Sequence, residues 1–463
     1  MARAAARRGR AGDADPDGRP RAERSAGAPP SDGGGPRASA ARPAADARHA
    51  DQGGRRDALH AGAAAATRPA HRRGADDAAQ ISGRATRGAP PRGSDRVIIA
   101  VLGGSHGAFA TAADLSLAGH RVRLWRRRPE DLAALSKGIT LKAEQRQGAA
   151  RLDKATADLG EAVRDADVVI APLPASTHED LGRRLAGVLT ERQVVLLGAA
   201  TLGSFVIARE IARAGKTLPL ALAETGTLPY LARKTGPAAV AAPVRAAHLP
   251  VGVFPAARAK DALARVRELY PATRPCVDAV DVALTNAGPV LHPPLVLANA
   301  GAIDRGKFDV HAAGTTESAR RLIDAVDAER VASRKGWGFP APHYEMATYY
   351  DEARAAEGLY GAGAKGKLVA SGLWNEVLTF EHRYVTEDVE LGLPFFESAA
   401  RSVSVASPAT SGLLGVFGAL LGRPLAGRGR DLDHLGLGEL TLREVRELFH
   451  EGWQSALWRR VAR

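Results

Sequence analysis

The chain has 463 residues, more than one hydrophobic core usually organises, and 45% hydrophobic with 25% charged residues is the balance of a soluble globular body, not of a wholly unfolded chain. Its net charge of +13 is uneven, because residues 1–93 hold 18 Arg against 10 acidic residues and contain no Lys, Phe, Trp, Tyr or Cys. A single cysteine, Cys276, excludes an internal disulfide and a cysteine-based metal cage.

Residues 1–93 cannot bury a core, and they read as a disordered Arg, Ala, Gly and Pro-rich tail. Their charge is expected to be solvated, with no nucleic-acid or membrane partner. The bias is also that of high-GC sequence translated ahead of a start near Asp95. Arg7 and Arg8 are followed by no apolar segment, and the longest apolar run, 411–422, is too short to span a bilayer, so a cytoplasmic protein is expected.

Order is expected from 94 onward. The run 97–102 is apolar and β-branched, as a strand buried on both faces should be. Glycines follow, then a helix over 110–118 and a second strand over 120–125, together the strand, glycine turn, helix and strand of a dinucleotide-binding unit. The cofactor-binding residues are then Gly103, Gly104, Ser105, Gly107 and Ala108, with Ser105 standing where the fingerprint has its middle glycine. The Ser105 hydroxyl is expected to donate to a phosphate.

The second strand runs into Arg126, Arg127 and Arg128 where an NAD site would place a carboxylate. Guanidinium forks suit a 2′-phosphate, so Arg126 and Arg127 point to NADP, with NAD the alternative and a solvated basic turn the blander account. Further strands are expected over 166–173, 193–198, 218–223 and 238–243, with helices over 178–189 and 204–214, giving a mostly parallel, doubly wound sheet. Ligands in such sheets sit at the carboxyl ends of strands, which here are 172–177, 198–203 and 224–227.

After about Cys276 the pattern turns helical, with segments at 286–302, 316–335, 344–356, near 374–383, 389–402 and 440–452. Thr441 and Glu444 form a capping box for the last. The fold class is therefore a Rossmann-type α/β domain (94–275) followed by an all-α domain (276–463). Acidic and basic residues at 324, 327, 329 and 330 read best as an exposed charged face, and Trp337 and Trp374 as core or inter-domain packing. No histidine spacing suggests a metal site.

Six stretches together resemble the octopine and nopaline dehydrogenase (opine dehydrogenase) family. They are VLGGSHGA (101–108), AETGTLPYLAR (223–233), NAGPVLHPPLVLANAGAID (286–304), GTTESARRLIDAVDAER (314–330), HRYVTEDVELGLP (382–394) and DLDHLGLGELTLREVRELF (431–449). The resemblance implies an NAD(P)-dependent oxidoreductase acting on CH–NH, which joins an amino acid to a 2-oxo acid and reduces the imine, with a helical domain of the 6-phosphogluconate dehydrogenase type. It implies that His292 is the acid/base, that Asp388 orients it, and that Arg383 contacts a substrate carboxylate. Glu224 and Thr225 would lie near the oxo acid. Without the resemblance, His292 reads as a satisfied core histidine, and Arg383, Glu387 and Asp388 as a surface salt-bridge cluster. Two other functions fit the same fold, namely an NADP-dependent reductase of a simple 2-oxo or 3-hydroxy acid and a non-catalytic nucleotide-binding protein. Oligomeric state is not legible.

Overall fold

The run expected as the first strand forms β1 (Ile98–Leu102), near the middle of the main sheet. In a computed structural model that describes residues 96–462 except 426 and 428, eleven further strands follow before residue 276. They are β2 (Arg121–Trp125), β3 (Ile139–Ala143), β4 (Gln147–Ala150), β5 (Lys154–Thr156), β6 (Val168–Ala171), β7 (Val194–Leu197), β8 (Ala221–Thr225), β9 (Tyr230–Gly236), β10 (Ala239–Arg245), β11 (Leu249–Phe254) and β12 (Thr273–Pro275). The disordered-tail expectation for 1–93 lies outside the described residues.

Eight strands pair in the order β12-β11-β8-β7-β6-β1-β2-β5. Every neighbouring pair is parallel except β8 with β11. Successive side chains alternate between two cores: Ile99, Val101, Val168, Ile170, Val194 and Leu196 enter one, whereas Ala100, Leu102, Val169, Ala171, Val195 and Leu197 enter the other. Burial on both faces is why these strands read as unbroken apolar runs. The second core continues into the helical half through Trp337, Phe395 and Phe417, so that half packs directly on the sheet.

The expectation for 238–243 is corrected in its placement. That segment is β10 of a separate four-stranded sheet, β4-β3-β10-β9, in which β3 and β10 are parallel and the other pairs antiparallel. This sheet packs on the helix His106–Leu117. Asp114 of that helix accepts from Tyr230 (2.6 Å), Arg245 (3.1 Å) and Arg146 (2.7 Å), which fixes β9 against the helix that opens the glycine loop.

In the helical half, Gly288–Ala298 and Glu317–Gly336 are long helices, but two expected helices are not formed. Over 344–356 there are only short 3₁₀ turns, because side chains of Glu317–Gly336 take the backbone groups a helix would use. Asp327 accepts from the Met346 N–H at 2.7 Å, and Arg330 donates to the His343 carbonyl at 2.9 Å. These partners are buried, so the exposed-face account of 324–330 fails for Asp327 and Arg330. Near 374–383, Glu376–Val377 pairs as a two-residue ladder with Lys307–Phe308. Trp337 is core, its indole N–H on the Ala399 carbonyl at 2.9 Å.

The last long helix, Leu442–Glu451, carries the reciprocal capping box of Thr441 and Glu444 and seats Phe449 against Phe205 and Phe254. Thr441→Ala is expected to lower unfolding stability by about 1 kcal/mol, read as a shifted urea midpoint.

Candidate active site

Where β1 ends, Gly103 turns the chain at φ +107°, and a Cβ there would come within 2.5 Å of Leu173. Ser105 caps the following helix by accepting from the Ala108 N–H (3.1 Å), and its hydroxyl donates to the Pro172 carbonyl (2.9 Å) beyond β6. The hydroxyl proton is committed here to Pro172, and the side chain ties two loops together. The Ala108 N–H is likewise used. The N–H groups of His106 and Gly107, at the first helical positions, have no intrahelical acceptor, and both residues line the cavity described below.

Gly104 allows the Arg126 guanidinium to lie directly on the backbone, at a place where a Cβ would overlap Nη1. Arg126 pairs with Asp131 in the turn Pro129–Leu135. The reading that the end of β2 lacks a carboxylate is corrected accordingly, because Asp131 folds back onto it. Arg127 and Arg128 are exposed. Arg126 and Lys234 both lie against Phe109, at 5.8 and 4.2 Å from the ring centroid. A glycine turn, a helix start and this cationic cluster fit a dinucleotide.

A cavity of about 190 Å³ adjoins the loop, with Ser105, His106 and Gly107 in one wall and His292, Arg383 and Asp388 in another. His292 sits in Gly288–Ala298, where Pro293 and Pro294 remove two N–H donors and stiffen the turn just after it. Asp388 opens a π-type turn, Asp388–Gly392, that follows the short helix Arg383–Thr386. Ninety-six residues apart in sequence, His292 Nδ1 and Asp388 Oδ2 are 2.7 Å apart. Gly288 makes the approach possible, since a Cβ there would be 2.3 Å from Asp388 Oδ1. Tyr384 stacks on the imidazole at 3.6 Å, and its hydroxyl meets His311 Nε2 at 2.9 Å.

Burial disfavours charge on either member of the pair. It holds His292 well below its ordinary range, with Arg383 and Arg233 adding to the effect, and raises Asp388 to about 7 against the pull of Arg383. The free site therefore holds a neutral imidazole, able to accept a proton. Arg383 pairs with Glu387 at 3.2 Å, and its side chain is 43% exposed, whereas Glu387 is buried and also accepts from the Ala175 N–H at 3.4 Å. A surface cluster does not describe this arrangement.

Glu224 and Thr225 do not line the cavity. Glu224 is fully buried, receives the Ser204 hydroxyl and is pushed up to about 7 by burial. Thr225 accepts from the Ala199 N–H (3.1 Å) and donates to the Thr227 carbonyl (2.5 Å). It is Thr227, one strand-end step further, that reaches the wall, hydrogen-bonded to the Tyr360 hydroxyl. Behind the wall, the loop after β7 holds Ala199, Thr201 and Leu202 at positive φ. Arg430, buried, donates to the carbonyls of Ala200, Thr201 and Ala175, and the Asn286 amide donates to the Thr201 hydroxyl at 2.9 Å. Burial lowers Arg430 to about 10.

The glycine loop and the buried His292–Asp388 pair thus line one cavity, together with Arg233 and Arg383. The family described as NAD/NADP octopine/nopaline dehydrogenase, alpha-helical domain, matches residues 275–421. Residues 275–421 therefore match the helical domain of the octopine/nopaline dehydrogenase family. The chain is thus an NAD(P)-dependent oxidoreductase of the opine dehydrogenase type, acting on CH–NH. It is 29% identical to an opine dehydrogenase of Arthrobacter sp. (strain 1C) over 352 residues, 75% of this chain and 97% of that protein. A vitopine synthase of Allorhizobium ampelinum is 25% identical over 61% of this chain and 77% of its own length.

Among solved structures, octopine dehydrogenase with NADH and L-arginine superposes with a TM-score of 0.57 at 18% identity, covering 75% of this chain and 97% of that one. Yersinopine dehydrogenase with NADP⁺ gives 0.52 at 14%, covering 78% and 99%. At such identities the likeness is one of fold. No helix among the described residues is long and apolar enough to cross a membrane.

Four wall residues of this opine dehydrogenase-type site escaped the sequence reading: Tyr384, His311, His106 and Arg233. Two of them adjoin residues that were singled out, Tyr384 beside Arg383 and His106 beside Ser105. Their position in the motifs was the available signal.

Proposed function

We propose that the protein condenses an amino acid with a 2-oxo acid and reduces the resulting imine with NADPH. The observation that supports this best is the 2.7 Å contact of His292 with Asp388, in a cavity that also carries Arg383 and the glycine loop. Neutral His292 takes the proton that keeps the amino group from attacking the oxo carbon. It then returns that proton to the departing hydroxyl, so that water leaves and the C=N bond forms. Asp388 accepts the Nδ1 proton, presents the other nitrogen to the substrate, and stabilises the imidazolium between the two steps. Arg383 holds a substrate carboxylate with its fork. The nicotinamide, when bound, supplies hydride to the imine carbon.

The preference for NADPH over NADH rests on Arg126 with Arg127 and Arg128 at the end of β2, Asp131 serving as the counter-ion of Arg126 that a 2′-phosphate displaces. The test is a matrix of amino acids against 2-oxo acids with each cofactor, followed at the nicotinamide absorbance. NADPH is expected to be oxidised only when both substrates are present, and Arg126→Ala is expected to cut the NADPH-to-NADH preference by about 10-fold or more. A rate that ignores the amine would replace this function with simple oxo-acid reduction.

A further inference from the structure

The product of the proposed condensation carries two carboxylates, one on each side of the new secondary amine. A site that holds it needs a cation on either side of the acid/base group, and Arg383 supplies only one. The second cation in the cavity wall is Arg233, on β9.

Arg233 is held as a recognition group would be. Its side chain is 16% exposed, with the guanidinium 4.5 Å over the buried Trp374 ring and Nη2 on Glu376 at 2.7 Å. Stacking, the ion pair and a 3.3 Å bond from Nη1 to the Ala232 carbonyl fix the plane of the fork, and Nε, itself buried, makes no hydrogen bond among the described residues. The Glu376 partner is itself one-third exposed, so this pair is only partly withdrawn from solvent.

The placement relative to His292 supplies the second argument. Arg233 and Arg383 both act on the His292 imidazole, and both oppose the effect of burial on Tyr384, which stacks upon it. Two guanidiniums therefore attend one imidazole. Each has a glutamate, Glu376 or Glu387, as its resting counter-ion.

We propose that Arg233 is the second carboxylate anchor of the site, binding the carboxylate of one substrate while Arg383 binds that of the other. The assignment rests on the condensation proposed above. Arg383 alone would leave one carboxylate to be desolvated without a partner, which a partly enclosed cavity disfavours.

The experiment compares each substrate with its carboxamide: pyruvate with pyruvamide, and the best amino acid of the matrix with its amide, in wild-type protein, Arg233→Met, Arg233→Lys, Arg383→Met and Glu376→Gln. Wild-type protein should discriminate against both amides. Arg233→Met is expected to raise the KM of one substrate by about 10- to 100-fold and to abolish discrimination for that partner only, while Arg383→Met does so for the other. Arg233→Lys, which keeps the charge and serves if the Met variant is unstable, should retain part of the discrimination, as should Glu376→Gln, which removes one restraint on the fork. Intact discrimination for both substrates in both Arg233 variants, or loss for the same substrate in the Arg233 and Arg383 variants, would overturn the assignment. NADPH oxidation by pyruvate at a rate unaffected by any amine would instead strike down the condensation itself.

Discussion

His292→Ala is expected to lower kcat by about 10²- to 10⁴-fold while leaving NADPH binding near its wild-type value. The imidazole is the titratable side chain that combines a place in the cavity wall, a carboxylate on its far nitrogen and a neutral resting state. His106, His311 and His382 share the wall, but each is differently engaged. His106 Nδ1 accepts from the Lys234 N–H at 2.9 Å, His311 is held by Tyr384, and His382 caps the helix Arg383–Thr386. None has a carboxylate partner among the described residues, so none can substitute. Turnover close to wild type in His292→Ala would remove the acid/base role from this residue and leave the proposed chemistry without a proton carrier.

Asp388→Asn should cost on the order of 10²-fold in kcat/KM and should also change the shape of the pH profile. Burial raises the Asp388 carboxyl to about 7, and only its ionised form accepts the Nδ1 proton and favours the imidazolium. Activity is therefore expected to fall as pH drops through about 7. The amide cannot titrate, so the variant should lose that acidic limb while its residual rate stays flat. A limb of unchanged midpoint in Asp388→Asn would assign the titration to another group. Gly288→Ala offers an independent check, since the added methyl crowds Oδ1 without altering any charge.

Much of this architecture was legible because it is local. β1 announces itself through an apolar run buried on both faces, and the glycine turn and β2 through the strand, turn, helix and strand order in which they follow. β11 was hidden by Pro250 and Gly252. The glycine is required there because a Cβ would meet the Asp278 carbonyl at 2.2 Å, a constraint from a segment 26 residues away. β3 and β4 are short, half-exposed and completed by β10, so neither carries a complete pattern alone. The expected helix over 344–356 failed for the same kind of reason, its backbone groups being claimed by Asp327 and Arg330.

For the site, the family resemblance pointed to His292, Asp388 and Arg383, which line the cavity, and to Glu224, which does not. Strand-end position predicts proximity to ligand, but alternation sends its side chain toward Ser204 and away from the cavity. Arg233, though it closes the stretch 223–233, was missed because its surroundings, Trp374 and Glu376, come to it from 141 and 143 residues further on.

The loop bearing Ala199, Thr201 and Leu202 in left-handed conformations stores backbone strain of a few kcal/mol, at about 1–3 kcal/mol per residue, which its surroundings must continually oppose. Arg430 is a principal restraint, and it arrives from more than 220 residues downstream. The carboxy-terminal stretch is therefore a tether as well as a cover. Were proteolysis to sever the chain before Arg430, His292 and Asp388 would remain and yet the loop would be free to spring into a commoner geometry, loosening the side of the cavity that Ala199 lines.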